Sequence, residues 1–214
     1  MSALSKLDIR SRMQRQELVV SPLLSGTQIG DSSVDLRVGN VFLTVRARGI
    51  SHVDPQVYNR NDDATHGHAN ELIRRQKHER HEVPFETTFL LHPGMLALVP
   101  TLEWVKLPAD LQGVVTARSC WAREGLSIAT ATLINPHYHG IITLELANLG
   151  QIPISLYPGL RIAQVAFYRL ETPLPAADKS RSQFAGTFEP MQGNIVEGDE
   201  AFMPPRSKRP TPAH

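Results

Sequence analysis

The chain has 214 residues, enough for one domain of ordinary size with a substantial core and too few for a second complete one. Lys and Arg number 22 against 21 Asp and Glu, a net charge of +1, so no global field draws the molecule to nucleic acid or to an acidic membrane. The only cysteine, Cys120, excludes an intramolecular disulfide and a thiolate-rich zinc site, and it fits a reducing cytosol.

The N-terminus, MSALSKLDIRSRMQRQELVV, lacks the apolar core of a signal peptide, and no later run reaches the ~18 apolar residues of a membrane span, so a soluble, cytoplasmic protein is expected. Residues 5 to 18 (SKLDIRSRMQRQEL) place Leu7, Ile9, Met13 and Leu18 among charges and predict one short helix with Ser5 as N-cap. The period then changes. SSVDLRVGNVFLTVRAR alternates Val34, Leu36 and Val38 with polar residues, reaches Gly39-Asn40, and continues as a second β-rich run, predicting strand, turn, strand. Residues 54 to 82 are polar, carry four of the nine histidines, and predict an exposed insertion or long loop.

From Val83 the β signals are dense. FETTFLLHPGMLALVPTLEWVKLP predicts two strands broken at His92-Pro93-Gly94, with Leu96, Leu98 and Val99 as a core face. Further strands are predicted at 112 to 117, 126 to 134, 141 to 148, 152 to 156 and 161 to 169, with a single helical turn in ARSCWAREG. Short strands separated by Gly and Pro turns point to a sandwich or barrel rather than βαβ units. A domain over residues 1 to 190 is expected, followed by a tail, 191 to 214, whose Pro-rich and basic composition predicts disorder.

In INPHYHGIITLEL, residues 134 to 146, His137 and His139 bracket Tyr138 and Glu145 follows on a predicted strand. Two histidines and a glutamate on an all-β scaffold resemble the metal site of a cupin. Here five residues separate His139 from Glu145, Gly140 interrupts the alternation, and YPGLRIAQVAF offers Gln164 but no further histidine. The other reading is an exposed turn feeding a strand that serves a different chemistry.

Taken with its neighbours, residues 117 to 167 resemble the dCTP deaminase branch of the dUTPase-like superfamily. That family carries G-R-S-S-x-x-R-x-G-L, T-A-x-x-I-D-x-G-[FYW]-x-G, a T-L-E strand and P-G-x-x-I-x-Q; this chain has ARSCWAREGL, TATLINPHYHG, TLE and PGLRIAQ in the same order. DSSVDLRVGN and LHPGMLALVPTLEWVKLP are similar to its N-terminal signatures. The resemblance implies an all-β, distorted jelly roll of the dUTPase-like (β-clip) type with a short N-terminal helix, assembled as a homotrimer with sites between subunits.

It also implies residue roles. Glu145 falls at the deaminating carboxylate, the general acid/base, and Arg123 at the arginine that orients it and stabilises charge developing on the pyrimidine. Arg118, Ser119 and Cys120 match the phosphate-gripping R-S-S, with Ser119 also a water- or phosphate-positioning group and Cys120 retaining only the backbone donor. Ala131 contributes backbone around the base, Tyr138 is the aromatic of the turn, and Thr143 and Gln164 complete the nucleotide contacts. The substrate is dCTP, with dTTP as a candidate inhibitor. No metal ligand is expected in the protein and no zinc: zinc deaminases need an H-x-E with P-C-x-x-C, which one cysteine cannot build. Mg²⁺ enters bound through the triphosphate.

The chain departs from the pattern at Asn135, where the family has Asp, and in the arm around Gln183-Phe184-Ala185-Gly186-Thr187, where deaminases carry a K-Y-x-x-Q-like segment. Asn hydrogen-bonds a sugar hydroxyl but cannot serve as a base, so pyrophosphate release from dUTP is expected to be lost or weak. The leading expectation is hydrolytic deamination of dCTP to dUTP and ammonia. A catalytically silent or regulatory nucleotide-binding paralogue is the second reading and a cupin-like metalloprotein the third.

Overall fold

Ser5 starts the first helix by a reciprocal cap. Its hydroxyl accepts the Asp8 N–H at 3.3 Å while the Asp8 carboxylate accepts the Ser5 N–H at 3.0 Å, satisfying two donors that a helix start leaves open. The structure, a computed structural model, describes residues 2–46, 78–128, 132–176 and 185–190. Helix α1 spans Lys6–Gln14 and is shorter than the sequence pattern implies. Gln16 turns the chain with a φ of 58°, and Leu18 is buried at the entry to a strand rather than on the helix. Ile9 is the one fully buried residue of α1, whereas Leu7 stays 74% exposed.

The strands among the described residues are β1 (Ser2–Ala3), β2 (Val19–Ser21), β3 (Val34–Arg37), β4 (Val41–Val45), β5 (His78–Glu82), β6 (Phe89–Leu91), β7 (Leu96–Lys106), β8 (Leu111–Ala117), β9 (Leu126–Ile128), β10 (Leu133–Ile134), β11 (His139–Asn148), β12 (Ile154–Leu156) and β13 (Arg161–Arg169). A five-residue helix α2 (Ser119–Arg123) lies between β8 and β9. One sheet runs β1-β13-β8-β10 with β3 also on β13; a second runs β5-β4-β7-β11-β9 with β2 also on β7; β12 and β6 form a separate pair. All pairings are antiparallel. Val34, Leu36, Val115, Val165 and Phe167 of the first sheet join Val99, Val105, Leu144 and Leu146 of the second in one buried cluster. This is the all-β jelly-roll sandwich with a short N-terminal helix that the pattern implies.

Two local expectations are corrected, at β7 and at β5. The strand, turn, strand expected around Gly39-Asn40 is present, and its two strands do not pair with each other: β3 lies on β13, and β4 on β5 and β7. Gly39 passes so close to β7 that an added Cβ would sit 2.9 Å from the Pro100 carbonyl oxygen, a crossing between sheets that only glycine permits. In β7 the core face is Ala97 and Val99; Leu96 and Leu98 occupy the half-buried opposite face, because residues 96 to 99 alternate and Val99 faces the core. Residues 78 to 82 of the expected polar loop form β5, in register with β4 from Val41↔Glu82 to Val45↔His78. HERHE lacks the apolar alternation of a core strand because it is an edge, where charged side chains are the usual occupants. Residues 54 to 77 and the tail from 191 onward lie outside the described residues. No helix among the described residues is long and apolar enough to cross a membrane.

Candidate active site

Two register irregularities lie beside the candidate residues, and the one in β13 changes which residues face outward. In β11 the register against β7 shifts between Ile141 and Thr143, just after Gly140 with its φ of 147°. Ile141 and Ile142 are buried in succession, and the Ile142 N–H, which leaves the ladder there, donates to the Thr101 hydroxyl at 3.0 Å. Thr101 donates in turn to the Glu103 carbonyl oxygen at 2.7 Å. Leu144 and Leu146 keep the core-facing phase of Ile142, so Thr143 and Glu145 share the opposite, half-buried face. In β13 the register against β3 shifts between Arg161 and Ala163, Ile162 and Ala163 are both buried, and Arg161 comes onto the same outer face as Gln164.

Helix α2 is stitched to β13 and to the end of β11. The Arg118 N–H donates to the Ile162 carbonyl oxygen at 2.9 Å, and the Trp121 indole N–H to the Arg161 carbonyl oxygen at 2.9 Å. With the Arg118 N–H so engaged, Ser119 and Cys120 supply first-turn N–H groups without helical partners. Both residues are exposed, as is Arg123 at the other end of α2. Gly125, with a φ of 88°, follows α2 where an added Cβ would lie 2.8 Å from the Gly150 nitrogen. Its carbonyl oxygen accepts the Leu149 N–H at 2.9 Å, and β9 then pairs with residues 146 to 148 of β11. Buried Asn148 locks this end, donating through its side-chain amide to the carbonyl oxygens of Leu91 and Ile152, each at 2.8 Å.

The phosphate-gripping segment does not stand alone. Asp35, opposite Gln164 in the β3–β13 register, approaches Arg118 Nε at 3.5 Å through one carboxylate oxygen and Arg161 Nη1 at 3.3 Å through the other. Ser33 donates its hydroxyl to Gln164 Oε1 at 3.2 Å. Sequence reasoning missed Asp35, Arg161 and Ser33; the only trace of Asp35 was a polar position in an alternating strand, which also describes an ordinary solvated face.

Beneath this surface lies the buried carboxylate of Glu103. It accepts from Gln28 Nε2 at 2.7 Å and from the Arg37 N–H at 2.8 Å, and Arg37 donates Nη1 to the Gly159 carbonyl oxygen at 2.7 Å, holding the turn that leads into Arg161. Desolvation pushes the Glu103 carboxyl above its ordinary value of 4.5 despite these donors. The folded state therefore holds this proton more tightly than the unfolded chain, and the group's stabilising contribution, full below pH 4.5, is lost as pH rises through the raised value. Glu103→Gln is expected to gain stability relative to wild type as pH is raised from about 4 to 7. Thermal unfolding of both proteins across that window checks this, and a constant difference would rule out a charging penalty at Glu103.

Asn135 and Tyr138 close the turn before β11, the Tyr138 N–H donating to the Asn135 carbonyl oxygen at 3.2 Å. Asn135 is exposed. Tyr138 packs against the core, its hydroxyl donates to the Ile141 carbonyl oxygen, and burial pushes its phenol up to about 12. The two histidines diverge in their contacts. His137, with a φ of 64°, places Nε2 2.7 Å from the Leu174 carbonyl oxygen, whereas His139 lies exposed beside Trp104 with ring centroids 6.4 Å apart. Among the described residues no group of three or more His, Cys, Asp or Glu is placed to hold a metal ion. Ala131 lies outside the described residues. The arm returns to this region: the Gly186 N–H donates to the His139 carbonyl oxygen at 2.7 Å, and the Ile141 N–H to that of Thr187 at 3.3 Å.

The structure thus brings Arg118, just past the end of β8, together with Asp35 and Arg161 beside Gln164 on the first sheet, and carries Thr143 and Glu145 on the second. A family model described as dCTP deaminase-like matches residues 3–170. A Dictyoglomus turgidum protein named dCTP deaminase, dUMP-forming, is 40% identical over 172 residues, covering 79% of this chain and 81% of its own. A Haloarcula marismortui protein named dCTP deaminase is 37% identical over 203 residues, covering 93% of this chain and 97% of its own. The crystal structure of the 2′-deoxycytidine 5′-triphosphate deaminase from Agrobacterium tumefaciens shares the fold with a TM-score of 0.57 at 23% identity, over 78% of this chain and 48% of that one. Matched over most of its length and carrying the motifs in order, the chain belongs to the dCTP deaminase-like family.

Proposed function

We propose that this protein hydrolyses the exocyclic amine of dCTP, giving dUTP and ammonia. The observation that carries the reading is family membership together with Glu145, Arg123 and Ser119 standing at the matching motif positions. Water adds to C4 of cytosine; Glu145 takes its proton, returns one to the ring nitrogen and then assists the departing amine, which leaves as ammonia. Arg123 orients the carboxylate for the first transfer and offsets charge developing on the ring. Arg118 with the Ser119 and Cys120 N–H groups holds phosphate oxygens, and Mg²⁺ carried by the triphosphate would offset part of its charge, with no protein side chain required as its ligand.

Within one chain Arg123 and Glu145 sit on different elements, α2 and β11. We place the working site between subunits of a homotrimer, with the 118 to 123 segment of one facing Glu145 of the next. The test is ammonia release and product identity from purified protein with dCTP and Mg²⁺: equal amounts of ammonia and dUTP are expected. Folded protein that is stabilised by dCTP yet releases no ammonia would instead mark a nucleotide-binding paralogue.

Asn135 bears on the product. The relatives include both dCTP deaminases and dUMP-forming ones, and an amide cannot activate water for attack on the α-phosphate. Wild type is expected to leave dUTP intact, and Asn135→Asp to raise pyrophosphate release from dUTP by about tenfold or more. Direct conversion of dCTP to dUMP by the wild-type protein would overturn the assignment of dUTP as product.

A further inference from the structure

We propose that Arg161 is a second phosphate-binding guanidinium and that Asp35 is the positioning residue that holds Arg161 and Arg118 as a pair. The inference rests on the nucleotide-site reading above, but on residues to which that reading gives no role: the P-G-x-x-I-x-Q signature leaves position 161 open.

The bulge in β13 is the first observation. With unbroken alternation Arg161 and Gln164, three residues apart, would lie on opposite faces; the shift between Arg161 and Ala163 buries Ile162 and Ala163 together and brings Arg161 round to the outer face. The second is the rigidity of the frame around it. The Arg161 carbonyl oxygen takes the Trp121 indole N–H, the Ile162 carbonyl oxygen takes the Arg118 N–H, and the preceding turn is held by Arg37 on Gly159 and by the Gly159 N–H on the Val38 carbonyl oxygen at 2.7 Å. Arg118 and Arg161 are therefore fixed relative to each other through the backbone.

The third observation is the geometry of Asp35. Its side chain is 15% exposed, and each oxygen serves a different guanidinium, at 3.5 Å and 3.3 Å. Two guanidinia at this spacing repel, and a carboxylate between them offsets the repulsion while fixing their orientation. Asp35 accepts one hydrogen bond, from Arg161 Nη1, and approaches Arg118 nearest at Nε, which engages a small part of the five N–H donors that each guanidinium carries. Both side chains remain 34% exposed. The result is two charged forks with a net charge of +1 on one rigid surface, suited to two phosphoryl groups of a polyphosphate.

The test compares wild type with Arg161→Gln, Arg161→Lys and Asp35→Asn, reading kcat and KM for dCTP and the affinity for inorganic tripolyphosphate by calorimetry. Arg161→Gln is expected to raise KM for dCTP and the tripolyphosphate Kd about tenfold or more, with kcat within about twofold. Arg161→Lys should recover part of the loss, keeping the charge without the fork. Asp35→Asn should weaken both ligands in the same direction while retaining both guanidinia, and the double variant should lose less than the sum of the singles. Folded Arg161→Gln with unchanged KM and tripolyphosphate affinity overturns the inference; if that variant does not fold, unchanged values for Arg161→Lys and Asp35→Asn overturn it. Wild type that binds tripolyphosphate through Arg161 but releases no ammonia would sink the deaminase reading and leave this inference standing.

Discussion

Glu145→Gln is expected to lower ammonia release from dCTP by about a thousandfold or more, with KM and thermal stability close to wild type. The amide has the shape of the carboxylate but cannot shuttle protons, so the water at C4 loses its base and the departing amine its acid. The side chain lies on the half-buried outer face of β11, opposite Leu144 and Leu146, so the substitution does not disturb the core. Steady-state kinetics beside unfolding curves check both halves. Turnover within tenfold of wild type would remove Glu145 from the reaction, whereas an equal loss in a destabilised protein would point to structure rather than proton transfer.

Mixing two inactive variants is expected to restore activity. If each site takes its 118 to 123 segment from one subunit and Glu145 from the next, randomly mixed trimers of Glu145→Gln and Arg123→Ala contain sites assembled from two unaltered surfaces. For equal mixing these are about a quarter of all sites, against a residual of roughly a thousandth in either variant alone. Subunits would be exchanged by mild unfolding and refolding of the mixture, with ammonia release measured afterwards. Recovery near a quarter supports sites between subunits; no recovery from mixed, folded trimers would place Arg123 and Glu145 in the same subunit's site.

Much of the architecture is legible without coordinates because alternation and turn chemistry act locally. Ser5 and Asp8 are close enough in sequence to cap one another, and the break at His92-Pro93-Gly94 follows from a proline and a glycine, which punctuate strands. Strand β5 was missed because an edge strand needs no apolar face. The phase of β7 was misjudged because leucine is common on both sides of a half-covered sheet, and only packing distinguishes Ala97 from Leu98.

The sequence by itself determined the family, the order of its motifs and the residue types available for chemistry: one glutamate on a β-strand, arginines flanking a short helix, and an asparagine in place of an aspartate. Those depend on covalent order, which folding does not change. Only the tertiary structure decided which faces these residues occupy and which of them meet. The one extra residue in β13 puts Arg161 on the face of Gln164, and whether such a bulge forms depends on how the strand pairs with a partner distant in the chain. The meeting of Asp35 with Arg118 and Arg161 has the same origin, since strands far apart in the chain become neighbours only when the sheet closes.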